Sequence, residues 1–542
     1  MVQITDNWGV EFLENQRAFE KANIRLPQFD EKKMREETKK NPQWVHFGGG
    51  NLYRCLHAKV AQDLLNKGEM NTGIIVADTF GRTLINNVYN KLDNRSLNVV
   101  MKSDGSVEKE LIASTAEAYY LSSEVSQSVE RMVDVFKQNS LQLVTVTITE
   151  KGYTVKDIEG NLTPQAKADI ENGANFAELS TSMAIYAYLL YQRYLNGGVP
   201  IAMVSTDNFS HNGERFKENL LVIAKGWEEN GKVENGFVAW LSDDTKVAFP
   251  FSMIDRITPL PSTTIATELA KDGIEGMEFE EGAAFAPFVN TEETSYLVIE
   301  DNFPNGRPPL EKAGIYMTDR ETVNNADLMK VCSCLNPLHT SLAIFGCLFG
   351  YDRIYKEMQD EDLRKLVEKL GYDEGLPVVV NPKIINPKAF IDEVINLRLV
   401  NPNIPDSPQR IATDTSQKVG IRYGETIKAY MESDEHDISE LRFIPLTIAA
   451  WLRYLLELDD NGEYFGVSPD PLLKELFGYL RIVDLGNLFE PKDILYPILS
   501  NERIFGVDLY EAGIAEKIHE YFVRMTRDVG SVRKTLQEEL KE

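Results

Sequence analysis

Trp44-Val-His-Phe-Gly-Gly-Gly50-Asn-Leu-Tyr-Arg54 reads as a short strand that runs into a glycine turn and opens a helix. Gly48 and Gly50 permit tight turning and close backbone approach to a pyrophosphate, which also gains from a helix N-terminus. The third glycine of the usual dinucleotide fingerprint is missing, with Tyr53 at that position. The turn alone is therefore weak evidence. Arg54 can reach a phosphate, or it can be a plain surface salt-bridge residue.

Outward from this turn, strands alternate with helices. A helix is predicted over 52–65, with Leu56, Val60 and Leu64 at helical spacing, and a buried strand over 73–78. Further strands are expected at 98–101, 110–113, 141–149 and 200–205, and helices at 122–138 and 176–195. This alternation predicts an α/β fold, a Rossmann-type doubly wound and mostly parallel sheet. Such sheets bind ligands beyond the carboxyl ends of their strands, and Asp78, Thr149, Glu150, Asp207 and Asn208 fall at such ends. A carboxylate at Asp78 can accept both adenosine ribose hydroxyls and repel a 2′-phosphate, which favours NAD; Arg82 nearby weakens that inference.

Size and composition bound the rest. At 542 residues the chain exceeds what one core normally covers. The first forty residues are expected to form an arm or short helices over the first domain. After the Pro/Gly-rich stretch 302–309 the texture turns helical, so the expected domains are 1–315, Rossmann-type, and 316–542, mostly α-helical. No uncharged apolar segment of membrane-span length is expected, and Met-Val-Gln-Ile-Thr-Asp is no secretion signal, so cytoplasm is the default. Of the four cysteines, three crowd into one apolar segment, which suits buried thiols in a reducing compartment. Cys332-Ser-Cys334 lacks a second Cys/His pair at zinc spacing, so no metal site is expected. A net charge of −27 disfavours nucleic acid and leaves an anionic small substrate only if Arg and Lys line its pocket. A monomer or small homo-oligomer is expected.

Lys330-Val-Cys-Ser-Cys-Leu-Asn336-Pro-Leu-His339 puts a base, an amide donor and an imidazole within ten residues, ahead of an apolar run. Where its ammonium form is desolvated, a lysine serves as a proton acceptor. Asn336 can donate to an oxygen that gains negative charge, and His339 can orient or relay a proton. The plainer reading is a capped helix start. Asp327 can shuttle protons to Lys330 or be a solvated acid; His46 and His57 suit structural roles, and His436 and His519 suit the surface.

Taken in order, several segments resemble the mannitol dehydrogenase family. They are Gly48-x-Gly50-x-x-x-Arg54, Thr147-Ile-Thr-Glu-Lys-Gly-Tyr153, Asp207-Asn-Phe-Ser-His-Asn-Gly213 and Phe249-Pro-Phe-Ser-Met-Ile-Asp-Arg256. Val298 to Arg307, Lys330 to His339, Arg398-Leu-Val-Asn-Pro402 and Ser416-Gln-Lys418 continue the order. The resemblance implies a Rossmann domain, a helical C-terminal domain, an active site between them, and metal-independent hydride transfer between a nicotinamide and a secondary alcohol or ketone. It implies Lys330 as acid/base, Asn208 and Asn336 as oxyanion stabilisers and His339 as substrate-orienting. It also implies that Asp255 contacts cofactor and that Arg398 binds substrate. The family pattern places the asparagine five positions after the lysine, whereas Asn336 lies six after Lys330, an offset that one inserted residue absorbs. Within the family the chain is most similar to the fructuronate reductase branch. That implies NAD-linked interconversion of D-fructuronate and D-mannonate, with Arg398 and Lys418 on the carboxylate and His211 near substrate or ribose. Tagaturonate/altronate, mannitol/fructose and an epimerase holding NAD stay open as alternatives.

Overall fold

The computed structural model describes residues 1–9, 11–157, 159–487 and 490–541. The chain divides into two compact units, 1–101 with 106–324, and 102–105 with 325–542. Residues 316–318 stay with the first unit because Tyr316–Thr318 pairs in parallel with Tyr296–Glu300.

In the first unit six strands form one sheet: β1 (Trp44–Phe47), β2 (Ile74–Asp78), β3 (Thr115–Tyr120), β4 (Leu143–Val146), β5 (Ile201–Ser205) and β6 (Val247–Ala248). Their order is 3-2-1-4-5-6, every pair is parallel, and the order reverses between β1 and β4. Period-two alternation sends the side chains of each strand to opposite faces. Val45 and Phe47 join Met132, Phe136, Tyr186 and Phe216 on one face, while Trp44 packs with Tyr53, Leu56, Val60 and Leu64 on the other. Helices therefore cover both faces: α1 (Ala58–Asn66), after a π-helical turn Tyr53–His57, on one side, and α2 (Ser126–Lys137), α3 (Ser182–Leu195) and α4 (Asn212–Glu229) on the other.

Three features depart from expectation. The strands Ser96–Met101 and Val107–Ile112 do not join the parallel sheet. They pair antiparallel, because a tight turn with Gly105 at φ +84° reverses the chain, and they belong to a four-stranded sheet with Phe288–Glu292 and Ile24–Arg25. The first forty residues form two short helices, Leu13–Lys21 and Glu31–Lys40, one of the two expected forms, but they also add strands to the sheets. Val2–Gln3 pairs with Ile274–Glu275, Ile24–Arg25 extends the four-stranded sheet, and Val2, Ile4, Phe19 and Ile24 are buried in one cluster. The membrane expectation also needs correction, since the helical run Arg320–Leu348 is long and apolar enough to cross a membrane. Of its apolar window 78% is buried inside the protein.

The second unit is helical. Its α5 (Asn336–Leu348) packs on α6 (Phe443–Tyr454), where Ser341 and Thr447 hydroxyls meet at 3.0 Å, and α6 packs on α7 (Ala515–Met525). Near the C-terminus α7 ends at Met525 and a further helix starts at Ser531, behind Gly530 at φ +75°.

Candidate active site

The carboxyl ends of β1 and β4 meet where the strand order reverses. Gly48 has φ +97°, and a Cβ there would collide with the Thr147 carbonyl. A Cβ on Gly49 would press on the Tyr89 hydroxyl at 3.0 Å and its ring at 3.1 Å. Gly50 differs, since its nearest neighbour would be Phe285 at an ordinary 3.5 Å. The protein itself uses the bareness of the first two glycines, and Gly50 leaves room that the protein does not fill. Arg54 is no surface salt-bridge residue. It is buried, and its guanidinium donates to Ala286 O at 2.8 Å and Asn51 Oδ1 at 2.8 Å, tying the helix start to the 284–286 segment.

Asp78 ends β2 with its Oδ1 accepting from Phe80 N at 2.9 Å and from Gly81 N. A side chain at Gly81 would crowd that carboxylate at 2.6 Å, so the glycine keeps it accessible. Arg82 is drawn off by Glu124 at 2.9 Å.

Beyond β4, Thr149 holds an unfavourable φ of +64°. Buried Asp207, just past β5, pins it by accepting from Ile148 N and Thr149 N at 2.9 Å and from Tyr153 OH at 2.7 Å. Burial pushes the Asp207 carboxyl above its usual range, and these hydrogen bonds pull it back. The neighbouring Asn208 is exposed on the same loop. Buried Asn212 clamps the loop's far end, donating to Asp207 O at 3.1 Å and Ser252 O at 3.0 Å. Glu150 and His211 are exposed, the first paired with Arg215 and the second 3.4 Å from Glu214. Asp255 is buried at the end of the strand Ser252–Asp255, opposite Tyr296.

In the helical unit Lys330 is buried inside a π-helical segment, Met329–Cys334, closed by Leu335 N to Lys330 O at 3.1 Å. A π-turn carries one residue more than an α-turn. Asp327 is not the solvated acid of the plainer reading, because its carboxylate is mostly buried 3.5 Å from the Lys330 Nζ. Asn336 starts α5. Burial pushes the thiols of Cys332 and Cys334 up to about 12, so they stay protonated.

One turn into α5, His339 Nε2 lies buried without a hydrogen-bond partner, 3.5 Å from Asp406 Oδ2. Burial pushes the imidazole down to about 4; Asp406 opposes this, while Arg422, Arg410 and Arg398 reinforce it. Arg422 donates to Thr340 Oγ1, Arg410 to Asp406, and Arg398 is buried at the end of the π-helical segment Val394–Arg398. Lys418 is half-buried and donates to the carbonyls of Thr413 and Ile411, the latter at 3.5 Å. In a chain of net charge −27, three arginines thus act on an imidazole that burial keeps neutral.

Sequence reasoning passed over Asn212, Asp406 and Arg410. Asn212 sits inside a quoted motif, so its neighbours were the signal. Asp406 and Arg410 lie far from His339 along the chain, and nothing in their spacing ties them to it. His519, expected at the surface, is buried against Tyr510 OH at 2.9 Å.

Comparison with known proteins adds the lineage. Residues 42–312 match the family model described as mannitol dehydrogenase Rossmann domain, and residues 323–525 the mannitol dehydrogenase C-terminal domain. A D-mannonate oxidoreductase of Thermotoga maritima is 50% identical over 97% of this chain and 98% of its own. A D-mannonate oxidoreductase of Escherichia coli is 28% identical over 80% of this chain and 83% of its own. The structure of Pseudomonas fluorescens mannitol 2-dehydrogenase, a ternary complex with NAD and D-mannitol, shares the fold at a TM-score of 0.70. It is 24% identical over 96% of this chain and 97% of its own.

Proposed function

The chain belongs to the mannitol dehydrogenase family of oxidoreductases, and we propose that it interconverts D-fructuronate and D-mannonate with NAD(H). The observation that carries the choice of a sugar acid is that three arginines, Arg398, Arg410 and Arg422, act electrostatically on buried His339. A guanidinium binds a carboxylate by two parallel hydrogen bonds, and an uncharged polyol gives such a cluster nothing to neutralise. The name of the half-identical Thermotoga maritima relative supports the same substrate.

The residues of the first unit fit a dinucleotide. Gly50 leaves unfilled space at a helix start, and Asp78 presents a carboxylate suited to ribose hydroxyls while Arg82 is occupied by Glu124. In this reading Gly48, Gly50, Thr149, Glu150 and Asp255 hold cofactor, and Arg54 braces the turn. Reduced nicotinamide, when bound, supplies the hydride to the substrate's carbonyl carbon. The Lys330 ammonium gives its proton to the carbonyl oxygen and recovers it in the oxidation direction. Asn208 and Asn336 donate to that oxygen as it becomes negative, being neutral donors at any pH. His339 orients the hydroxyls, and Arg398 holds the carboxylate. Lys418, which donates to two backbone carbonyls, joins Arg398 on the carboxylate. The π-turn supports Lys330 as the acid/base, because it takes up the extra residue between lysine and asparagine.

Steady-state assays with D-fructuronate, D-tagaturonate and D-fructose, each with NADH and NADPH, test the reading. The expected result is NADH oxidation with a kcat/KM for fructuronate at least ~10-fold above the other two. A preference for fructose would overturn it, and so would epimerisation without net change in NADH.

A further inference from the structure

The walls behind the glycine turn form a directed chain of hydrogen bonds. Trp44 Nε1 donates to Thr145 Oγ1 at 2.8 Å, and Thr145 Oγ1 lies 2.7 Å from His46 Nδ1. On the other side of the ring, His46 Nε2 lies 3.1 Å from Gly48 O and 2.9 Å from Thr147 Oγ1. A carbonyl only accepts, so Nε2 carries the hydrogen. His46 is fully buried and held neutral by that burial, so Nδ1 accepts from Thr145. Thr147 Oγ1 donates to the same Gly48 O at 3.0 Å, and Tyr89 OH donates to the next carbonyl, Gly49 O, at 2.6 Å.

Two consecutive peptide carbonyls are thus drawn inward by buried side chains. In a trans peptide the N–H points opposite to its C=O, and among the described residues no peptide bond is cis. Fixing Gly48 O and Gly49 O therefore turns the Gly49 and Gly50 amides away from His46 and Tyr89. We propose that His46 and Tyr89 are positioning residues that preset these two peptide units as donors to the cofactor's phosphates. The assignment rests on the cofactor reading above. It gives the missing third glycine of the fingerprint a physical counterpart, since side-chain donors from outside the motif orient the loop. Tyr53, in that glycine's place, lies tilted against His46 with ring centroids 4.5 Å apart.

The test compares wild type with Tyr89→Phe, His46→Phe and His46→Gln. Each is titrated with NADH, ADP-ribose and adenosine, alongside kcat and Tm. Tyr89→Phe removes one oxygen and should raise the NADH and ADP-ribose Kd by about 10-fold, with adenosine binding changed less than about 2-fold. His46→Phe should act in the same direction, and His46→Gln, whose amide restores a donor, should recover most of the loss. At saturating NADH, kcat should stay within about 3-fold of wild type. Unchanged NADH affinity in both phenylalanine variants overturns the assignment, as does an equal loss for adenosine, which would mark general loosening. Wild type that binds neither NADH nor ADP-ribose would overturn the cofactor reading itself, a separate outcome.

Discussion

The glycine turn of the first unit and the His339 surroundings of the second are both buried polar sites, built on opposite principles. Around Gly48 the hydrogen bonds join neutral groups: hydroxyls, an imidazole, an indole and backbone carbonyls. Around His339 the influences are charged, Arg398, Arg410 and Arg422 against Asp406, with the Lys330–Asp327 pair nearby in sequence. A neutral network fixes geometry without adding a net field, which suits amides that must receive an anion. A charged cluster creates a field and pays for it in desolvation. The contrast teaches that the first site should fail by losing affinity and the second by losing rate or selectivity.

The largest expected break is Lys330→Ala. Removing the proton donor should cut kcat by about 10²–10⁴-fold while the NADH Kd moves little, measured by turnover and fluorescence titration. Retained turnover would remove Lys330 from the mechanism. Next comes Arg398→Ala, which should lower kcat/KM for fructuronate by about 10–100-fold, the range of a charge-assisted hydrogen bond, and for fructose by much less. Equal losses on both would argue against carboxylate recognition. On the neutral side, Gly50→Ala fills space the protein leaves open, so it should weaken NADH on the order of 10-fold while Tm stays put. A fall in Tm with unchanged Kd would make Gly50 a folding residue.

The smallest effect is on pH. The folded His339 imidazole is pushed down to about 4 from its ordinary value near 6.5. As pH falls below about 6.5, the unfolded chain takes up a proton that the folded one refuses. The stability contribution is therefore whole above that value and is lost as pH drops through about 4. A His339→Asn variant should show a flatter Tm profile between these values than wild type, and parallel profiles would contradict the electrostatic description.

Much of the fold was legible. The four inner strands, 44–47, 74–78, 143–146 and 201–205, read as apolar runs alternating with helices, which gives the doubly wound class; the two edge strands, Thr115–Tyr120 and Val247–Ala248, did not, the first being only partly buried and the second two residues long. The hairpin 96–112 was not, because apolar pattern reveals a strand but not its direction or its sheet. Site legibility was uneven for a similar reason. Asp78, Asn208 and Asn336 stand at element ends, where the pattern points to them. The inward turn of Arg54 and the meeting of His339 with Asp406 depend on packing between distant segments, which local spacing does not encode. The π-turn at Lys330 showed only as an offset of one residue.

The most direct measurement follows the nicotinamide absorbance band when D-fructuronate is added to enzyme and NADH in excess chelator. One NADH should disappear per fructuronate consumed, with D-mannonate as product and no loss of rate to the chelator. No NADH loss, or a rate that the chelator abolishes, would contradict hydride transfer assisted by a lysine and two carboxamides.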